Sequence, residues 1–447
     1  MNKKSVQYFA TWCLITTSCC TIANDSVSSS FDAAIQRALA NRPELGMERS
    51  RAEAAKARVD EARGLFLPSL NVFGTDQHVI AYDNFSGVTA NAQIGAANYS
   101  ILVNKITPQY QLNYGAELNY NLYSGGKDIA LFKEMSASEQ SAYAQYDVVR
   151  KQIILDVTEL YWGLRKAQIT LQIAERTFDY SGEEVNIAKE QFKQGRIAKI
   201  DLDTKALSAE KQAVELRKAT RSVQDYRRRY AYALGVDTSK EAEMQQFEPV
   251  GQPEGINTEL FLSSLGLMKE PEVKKVQADL MGAQMRIKQS RSEYMPVIDL
   301  FARYTEIGRS DTGFVDAQAN LGKDATFVGV KLTWNLFDGF KSDSRVARTV
   351  AESEQLRLQS EKVQHDLDNN QQELLAGEAD ARDQYHLAKR QLELARSQLE
   401  IARKRLEIGK LSTLEFHAAQ LALDNATSTL DIRRVDIIIQ RIKTELN

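Results

Sequence analysis

Few residues of this 447-residue chain have the types and spacing that chemistry at a site requires. Its four histidines, at positions 78, 365, 386 and 417, do not have the spacing of metal ligands. The chain contains no nucleophile elbow, no phosphate loop and no paired acid and base. His417 lies two residues after Glu415, and we expect it to be a solvated helical side chain. The sequence therefore predicts a protein that is not an enzyme and that uses no metal and no cofactor.

The N-terminal residues are typical of an export signal. A basic start is followed by an apolar segment and then by small residues, so we expect a signal peptide over residues 1–23 with cleavage after Ala23. Lipidation of Cys19 or Cys20 is an alternative, but Leu14 lies five residues before Cys19 rather than three. The third cysteine, Cys13, is also in this segment, so cleavage after Ala23 leaves no thiol.

Charge and apolar patterning narrow the class of protein. With 57 Lys and Arg against 60 Asp and Glu, the chain lacks the excess positive charge that nucleic-acid binding needs. No apolar run after Ala23 is long enough for a helix to span a bilayer, so the sequence predicts no transmembrane helix. Residues 109–248 and 297–447 contain no proline and can therefore form very long helices. An exported chain of this kind is either soluble or a membrane β-barrel.

The chain contains an internal repeat. The phrase "NLYSGGKD" at 121–128 returns as "NLFDGFKSD" at 335–343. Two earlier proline pairs, Pro43 with Pro271 and Pro68 with Pro296, have a larger offset, so the first copy is longer between position 68 and position 121, where we expect a surface loop. The sequence predicts a first repeat over 24–235, a connecting region over 236–268 and a second repeat over 269–447.

Each repeat contains two segments with the period of a β-strand. Residues 110–122 alternate between apolar or aromatic side chains and polar ones or glycine, and the second copy keeps this alternation. We predict strands at about 68–82, 107–123, 296–307 and 326–337, joined within each repeat across polar loops at 82–106 and 308–324. A soluble sandwich would also alternate. Spanning length, aromatic residues at the strand ends and the export signal favour a membrane barrel.

After the second strand of each repeat the period becomes helical. Ser124 and Asp338 are predicted helix caps, and Gly125 and Gly339 are predicted to allow the sharp strand-to-helix turn. A long stretch with few glycines then leads to Gly195, and its equivalent in the second copy leads to Gly409. At 1.5 Å per residue a helix over this stretch approaches about 100 Å. We interpret Gly195 and Gly409 as the tips of helical hairpins.

The long helices contain coiled-coil heptads. Apolar residues with 4-3-4-3-4 spacing recur in both repeats: Ala388, Leu392, Ala395, Leu399, Ala402 and Leu406 match Ala174, Phe178, Ser181, Val185, Ala188 and Phe192. A second apolar line, Leu387, Leu394, Ile401 and Ile408, lies beside this seam. An apolar arc of this width favours an assembly in which each helix packs on two sides.

The strands require several chains. Four strands cannot close a barrel, and unpaired strand edges are prohibitive in lipid. Three chains would supply twelve strands around a water-filled interior. The alternating strands and the heptads thus predict a shared barrel.

The order of these elements resembles the TolC family of outer-membrane efflux proteins. The resemblance covers about 30–447 and depends on the duplicated order of helix, strand hairpin, "NL[YF]-x-G" turn, long helix and glycine-tipped return helix. It implies a mostly α-helical homotrimer, with four strands per chain in a 12-stranded outer-membrane β-barrel and a long periplasmic α-helical barrel. The region 236–268 resembles part of an equatorial domain.

The resemblance also implies a function and partners. Such a protein is the outer-membrane channel of a tripartite efflux or type I secretion system, and it extends into the periplasm of a Gram-negative cell. It conducts substrates passively to the exterior. Its expected partners are a periplasmic adaptor, an inner-membrane transporter of the ABC, RND or MFS type, and outer-membrane lipid, but not nucleic acid. Neither the cargo nor the transporter class follows from the sequence.

In that family the periplasmic aperture lies at the hairpin tips, where acidic residues six positions after the tip glycine form rings. The matching residues here are Asp201 and Glu415, with Asp203 as a further candidate. Converging carboxylates would attract cations. Taken alone, an acidic residue near a helix start is more often a cap.

Three positions depart from the family pattern of a second acidic residue and a polar latch: Leu406, Leu411 and Ala418. The closed state would then need other contacts, such as pairing of Arg196 or Lys199 with the tip carboxylates. An alternative function is a periplasmic coiled-coil tether without a conduit. That alternative leaves the duplicated strands unexplained.

Overall fold

A computed structural model describes residues 26–80, 89–94, 97–102, 109–236 and 270–446. Most of this part of the chain is helical, with six strands. The helices are α1 Ser26–Asn41, α2 Pro43–Gly64, α3 Lys127–Lys193, α4 Lys199–Leu234, α5 Pro271–Ser292, α6 Phe314–Ala319, α7 Lys341–Glu407 and α8 Thr413–Leu446. The strands are β1 Ser69–His78, β2 Thr89–Ile94, β3 Ala97–Leu102, β4 Tyr110–Tyr123, β5 Val297–Ser310 and β6 Lys323–Thr333. The predicted signal peptide, 1–23, and the predicted connecting region, 236–268 except for residue 236, lie outside the described residues.

The chain forms two compact units. Of the described residues, 43–80, 89–94, 97–102, 109–150 and 270–372 form the strand unit, and 26–42, 151–236 and 373–446 form the helix unit. Both long helices, α3 and α7, have 67 residues and contribute to both units. The two hairpin strands predicted in each repeat are thus followed by the long helix that the glycine spacing predicted.

One four-stranded antiparallel sheet, in the order β1-β4-β5-β6, forms the strand unit's framework. The two predicted hairpins, β1 with β4 and β5 with β6, are confirmed. The central pair, β4 and β5, joins the two repeats and places Glu117 opposite Arg303 and Asn121 opposite Asp299. Because side chains alternate along a strand, this register collects most of the polar side chains of β4 and β5 on one face of the sheet. We call this the polar face.

Two glycines on the polar face lie under aromatic rings from neighbouring strands. A Cβ atom on Gly115 would lie 2.2 Å from the backbone O of Tyr304 and 2.8 Å from Cζ of Phe73, and one on Gly329 would lie 2.9 Å from Cζ of Phe301. The rings therefore occupy space that side chains at these positions would fill. Covering a glycine in this way stabilises a strand at a position that glycine otherwise weakens. Phe73 also receives the Arg303 guanidinium, whose Cζ lies 5.6 Å from the ring centroid.

The structure differs from the sequence prediction in the connections between strands. Part of the predicted loop 82–106 forms a separate hairpin, β2 with β3, and part of 308–324 forms the short helix α6. Small and polar residues dominate 89–102, so its strand propensity is weak. Strand β6 ends at Thr333 rather than near 337, because Val297, the first residue of β5, pairs with Thr333 and later residues have no partner in β5.

The predicted caps of the two long helices are confirmed. The backbone N–H of Asp128 donates to Ser124 Oγ over 3.2 Å, and that of Lys341 donates to Asp338 Oδ1 over 3.0 Å. Gly125 and Gly339 both have positive φ, 66° and 72°, which the strand-to-helix turn requires. These local contacts satisfy backbone donors that the first turn of a helix leaves unpaired.

The helix unit contains a row of four helices. Lys205 of α4 pairs with Glu184 of α3, and Tyr226 of α4 lies against Gly163 of α3. Residues of α3 form ion pairs with α8, as described next, and Leu430 of α8 packs with Ala388 and Leu392 of α7. These contacts give the order α4-α3-α8-α7.

Three ion pairs and one histidine–carboxylate contact connect α3 with α8, which run antiparallel. The pairs are Glu159 with Lys443, Lys166 with Asp436, Arg176 with Asp424, and Glu183 with His417. Each step along α3 towards the tip is matched by a step along α8 in the opposite direction. Since α3 belongs to the first repeat and α8 to the second, this set of pairs joins the repeats.

Packing agrees with the predicted heptads in the second repeat and only partly in the first. Ala388, Leu392, Ala395 and Ala402 are buried along α7. In α3, Ser181 and Ala188 are buried, whereas the rings of Phe178 and Phe192 remain exposed within one chain. None of the described helices is both long and apolar enough to cross a membrane.

Candidate functional site

Both hairpin tips are built by the same backbone motif. At the first tip, Gly195 adopts φ 70° and Arg196 N–H donates to Gln191 O over 2.9 Å. At the second, Gly409 adopts φ 67° and Lys410 N–H donates to Arg405 O over 2.8 Å. A left-handed glycine closed by such a bond ends a helix abruptly, because it satisfies carbonyl groups of the last turn. Each return helix, α4 or α8, then begins four residues after the tip glycine.

The two predicted acidic residues occupy equivalent positions, three residues after the cap of the return helix. Asp201 Oδ2 accepts the backbone N–H of Ala198 over 3.2 Å. Glu415 Oε2 accepts the backbone N–H of Ser412 over 2.9 Å. Each carboxylate is exposed and lies at a helix N-terminus, where backbone N–H groups favour negative charge. Both carboxylates therefore also have a structural role as caps.

The two caps differ in the two hydrogen bonds that the cap side chain can make. Ser412 Oγ accepts the backbone N–H of Glu415 over 3.2 Å and donates to Glu415 Oε2 over 2.8 Å, so this tip has a complete capping box. Ala198 has no side-chain oxygen and cannot reciprocate. Hydrogen bonds from the Ser412 backbone and hydroxyl lower the pKa of the Glu415 carboxyl, so Glu415 is ionised near neutral pH.

The remaining predicted tip residues make fewer contacts. Asp203 is exposed on the first turns of α4. Among the described residues, neither Arg196 nor Lys199 forms an ion pair with Asp201 or Glu415, so the alternative pairing suggested by the sequence is absent within one chain.

His417, which the sequence predicts to be a solvated side chain, contacts another helix near the second tip. His417 Nδ1 lies 2.9 Å from Glu183 Oε2, which connects the second turn of α8 to α3. The sequence separation is 234 residues, so no local pattern indicates it. His417 is a helical residue with a partly exposed side chain, as expected, and the antiparallel register of α3 and α8 also brings it to Glu183, a partner that the sequence did not predict.

Further acidic groups lie beside this contact. Burial, and then the charge of Glu184, raise the pKa of the Tyr180 hydroxyl, with smaller effects from Glu183 and Glu415. Tyr180 therefore remains neutral and can donate a hydrogen bond. Its Oη lies 3.5 Å from Glu184 Oε1, at the outer limit for such a bond.

The described residues contain no group of three or more histidine, cysteine, aspartate or glutamate side chains arranged to hold a metal ion. The tip is thus a site of exposed carboxylates, caps and interhelical ion pairs. Its chemistry is electrostatic.

Comparison with known proteins identifies the family. The sequence profile described as "Outer membrane efflux protein" matches residues 34–236 and 262–434. A search of the curated proteins found no match. The family comprises channels rather than enzymes, in agreement with the absence of catalytic motifs.

Several solved structures have the same fold. VceC, an outer membrane protein of Vibrio cholerae, aligns with a TM-score of 0.74 and 15% identity over 94% of this chain and 96% of its own. The CmeC outer membrane channel of Campylobacter jejuni aligns with 0.73 and 15% identity over 93% and 85%. CusC aligns with 0.69 and 17% identity over 93% and 91%. The predicted TolC-like fold is confirmed.

The family profile spans both repeats and most of the chain, and the fold agrees with that of solved outer-membrane channels. The chain therefore belongs to the outer membrane efflux protein family and serves as an exit duct for efflux in the outer membrane.

Proposed function

We propose that three copies of this chain form one passive duct, and that Asp201 and Glu415 line its periplasmic aperture. The sheet of one chain has two edges, β1 and β6, which need partners in lipid. Three sheets joined edge to edge would give the predicted twelve-stranded barrel. The observation that supports the trimer is a stripe of exposed residues at heptad spacing on each of α4 and α7, the helices at the two ends of the row.

Both end helices expose apolar residues at heptad spacing near the tips. On α4 these residues are Ile200, Leu207 and Val214. On α7 they are Leu387, Leu394, Ile401 and Ile408. All seven side chains are at least half exposed in one chain, and the α7 stripe is the second apolar line predicted from the sequence. An aligned, exposed stripe of this kind marks a helix contact that one chain does not satisfy.

Charged residues continue both stripes away from the tips. On α4 the next heptad positions are Arg221 and Arg228, and on α7 the preceding positions are Asp380 and Glu373. All four are exposed. The α4 stripe thus changes from apolar to basic, and the α7 stripe changes from apolar to acidic.

An antiparallel contact between α4 of one copy and α7 of the next would bring the two apolar stripes together and would pair one basic residue with one acidic residue. Placing Ile200 against Ile408 puts Val214 against Leu394 at the same register. One further heptad puts Arg221 against Leu387, and the next puts Arg228 against Asp380, which have opposite charges. Because each copy uses a different surface on each side, the contact is head-to-tail and can close a ring.

Charge exchange tests this contact. Arg228→Glu places like charges together and is expected to shift detergent-solubilised protein from trimer towards monomer in native mass spectrometry. Adding Asp380→Arg is expected to restore the trimer. Arg229→Glu is the matched control, because Arg229 neighbours Arg228 and both bind Asp225. Equal effects of the two arginine substitutions, or no restoration by the double variant, would refute this register.

The aperture proposal is tested by conductance across planar bilayers. Rings of ionised carboxylates should bind multivalent cations and so obstruct current. Asp201→Asn and Glu415→Gln remove charge with little change of shape. We expect them to weaken the block of current by a trivalent cation. Asp203→Asn tests the further candidate in the same way. Glu210→Gln, on α4 beyond the tip, is the control. Unchanged block in the tip variants would exclude their role, whereas absence of any pore would support a tether instead of a duct.

Channels of this family work with periplasmic adaptors and inner-membrane transporters. We propose that the duct receives cargo through such a pair at the hairpin tips, in an efflux or type I secretion system. Site-specific photo-crosslinking from Lys410, which is exposed at the second tip, would test this: a crosslinked adaptor is expected there, and none from the equally exposed Lys362 in the strand unit.

A further inference from the structure

The strand unit contains a cavity of about 830 Å³ on the polar face of the sheet. One wall is the sheet itself, and the other is the segment between α2 and β1. Cavities of this size that combine aromatic or apolar walls with a few polar groups are the usual form of small-molecule sites. The proposed duct does not require such a cavity, so its residues need an explanation of their own.

The apolar side of the cavity consists of Leu65, Leu67, Phe301 and Phe327. The phenylalanines are unexpected, because the alternation that makes the other face apolar should make this one polar. Phe301 is explained by Gly329, which its ring covers. Phe327 covers no glycine and lies opposite Arg303 in the register, with 55% of its surface exposed. Nothing in the packing of a single chain accounts for an exposed phenylalanine here.

The charged side contains two pairs of an acidic and a basic residue. One pair forms an ion pair, and the other does not within the described part of the chain. Arg303 Nε donates to Glu117 Oε2 over 2.7 Å, and Asn119 donates to the other Glu117 oxygen over 2.8 Å. These charges are mutually satisfied. The second pair, Asp299 and Lys331, is opposed in the register of β5 and β6.

The second pair is available to a ligand. Asp299 Oδ1 accepts a hydrogen bond from Asn121 over 2.8 Å. Among the described residues, Asp299 and Lys331 form no ion pair with each other or with another side chain. Asp299 and Lys331 both line the cavity beside the exposed phenylalanine, so a carboxylate and an ammonium group without charged partners in the part of the chain that the structure describes border it.

We propose that this cavity binds small aromatic zwitterions. The ring would lie among Phe327, Phe301 and the two leucines. An ammonium group would pair with Asp299 and a carboxylate with Lys331. The location of the cavity in the lumen rests on the proposed trimeric duct, in which the polar face lines the water-filled interior. Three copies would then provide three equivalent sites along the path of cargo.

Single-channel recording tests the inference with four probes that separate the contributions of the ring, the carboxylate and the ammonium group of the ligand. L-Tryptophan has the ring and both charges, tryptamine lacks the carboxylate, indole-3-propionate lacks the ammonium group, and L-alanine lacks the ring. The expected order has L-tryptophan as the strongest transient blocker. Loss of the ring or of one charge is expected to weaken block by about tenfold, since stacking and charged hydrogen bonds are each worth about a factor of ten.

Variants assign the effect to the cavity. Phe327→Ala, Lys331→Gln and Asp299→Asn should each weaken L-tryptophan block about tenfold. Val328→Ala is the matched control, because Val328 is the next residue of β6, is also exposed and lies on the opposite face. Phe327, Lys331 and Val328 are exposed, so these substitutions leave the sheet intact and the open-channel conductance measurable.

The outcomes separate the two proposals. Normal conductance with no block by L-tryptophan, or equal block by tryptamine and L-tryptophan, would overturn the zwitterion site and leave the duct standing. Equal weakening in Val328→Ala would also overturn it. Absence of conductance in the wild-type protein would instead count against the proposed duct.

Discussion

Lys166 of the first repeat donates a hydrogen bond from Nζ to Oδ1 of Asp436 in the second repeat, over 2.9 Å. The two side chains are 270 residues apart in sequence, and about a third of the lysine and a quarter of the aspartate is exposed. They lie between the other polar contacts that connect α3 with α8. This pair therefore shows how a duplicated chain becomes one row of helices: the ascending helix of one copy binds the returning helix of the other.

Breaking that pair should destabilise the helix unit. Lys166→Met leaves the partly buried Asp436 carboxylate with Arg433 as its charged partner and without a partner on α3, and Asp436→Asn removes the charge that Lys166 binds. We expect each substitution to cost about 1–2 kcal/mol, and the double variant to cost less than the sum because the two side chains interact. Denaturant unfolding in detergent measures these values. Lys189→Met, on an exposed position of α3, is the control. Strict additivity would show that the pair contributes nothing.

The two tips offer a reciprocal test of capping. Ala198→Ser should supply the missing oxygen of the capping box with Asp201 and stabilise the start of α4 by about 1 kcal/mol. Ser412→Ala should weaken the start of α8 by a similar amount, because it removes the acceptor for the Glu415 N–H. Hydrogen exchange of the two tip peptides measures both changes. A change of the same sign in the two variants would contradict the assignment.

The Glu415 cap should give the second tip a dependence on acid pH. Its carboxyl has a pKa below the ordinary value of 4.5, because Ser412 donates to the ionised form. The carboxylate therefore stabilises the folded tip fully above pH 4.5, and this contribution is lost as the pH falls through the lowered folded pKa.

Hydrogen exchange of 412–416, corrected for intrinsic rates, should accelerate in that acidic range in the wild type. Glu415→Gln should already exchange faster at neutral pH and should show no further acceleration. An identical acid response in the glutamine variant would assign the effect to another group.

Two glycines inside α3 should respond in opposite directions to alanine. A Cβ atom at Gly163 would lie 2.5 Å from Cε1 of Tyr226, so Gly163→Ala must displace that ring and should destabilise the contact with α4 by about 1–3 kcal/mol. No atom lies within 4 Å of a Cβ at Gly182, so Gly182→Ala should stabilise the helix by up to about 1 kcal/mol. Thermal unfolding of the two variants provides the comparison. Stabilisation by both would mean that α4 does not approach α3 at Gly163.

The sequence pattern was sufficient to predict those features whose physical cause lies within a few neighbouring residues. The alternation in 110–122 predicted β4 because side chains alternate across a strand, and the heptads predicted the long helices because every third or fourth residue shares a face. The tip glycines and the caps at Ser124 and Asp338 were also predictable, since each depends on backbone geometry within a few residues. Where local signals are weak, as in β2 and β3, the prediction failed.

The sequence by itself thus determined the duplication, the order of strands and helices, the hairpin tips and the family. Only the tertiary structure decided which residues of different repeats meet. The β4–β5 register, the His417 contact with Glu183, the helix order that leaves α4 and α7 at the ends, and the cavity beside Phe327 all join residues far apart in sequence. Such contacts depend on the packing of whole elements against one another, and no periodicity within a single element encodes that packing.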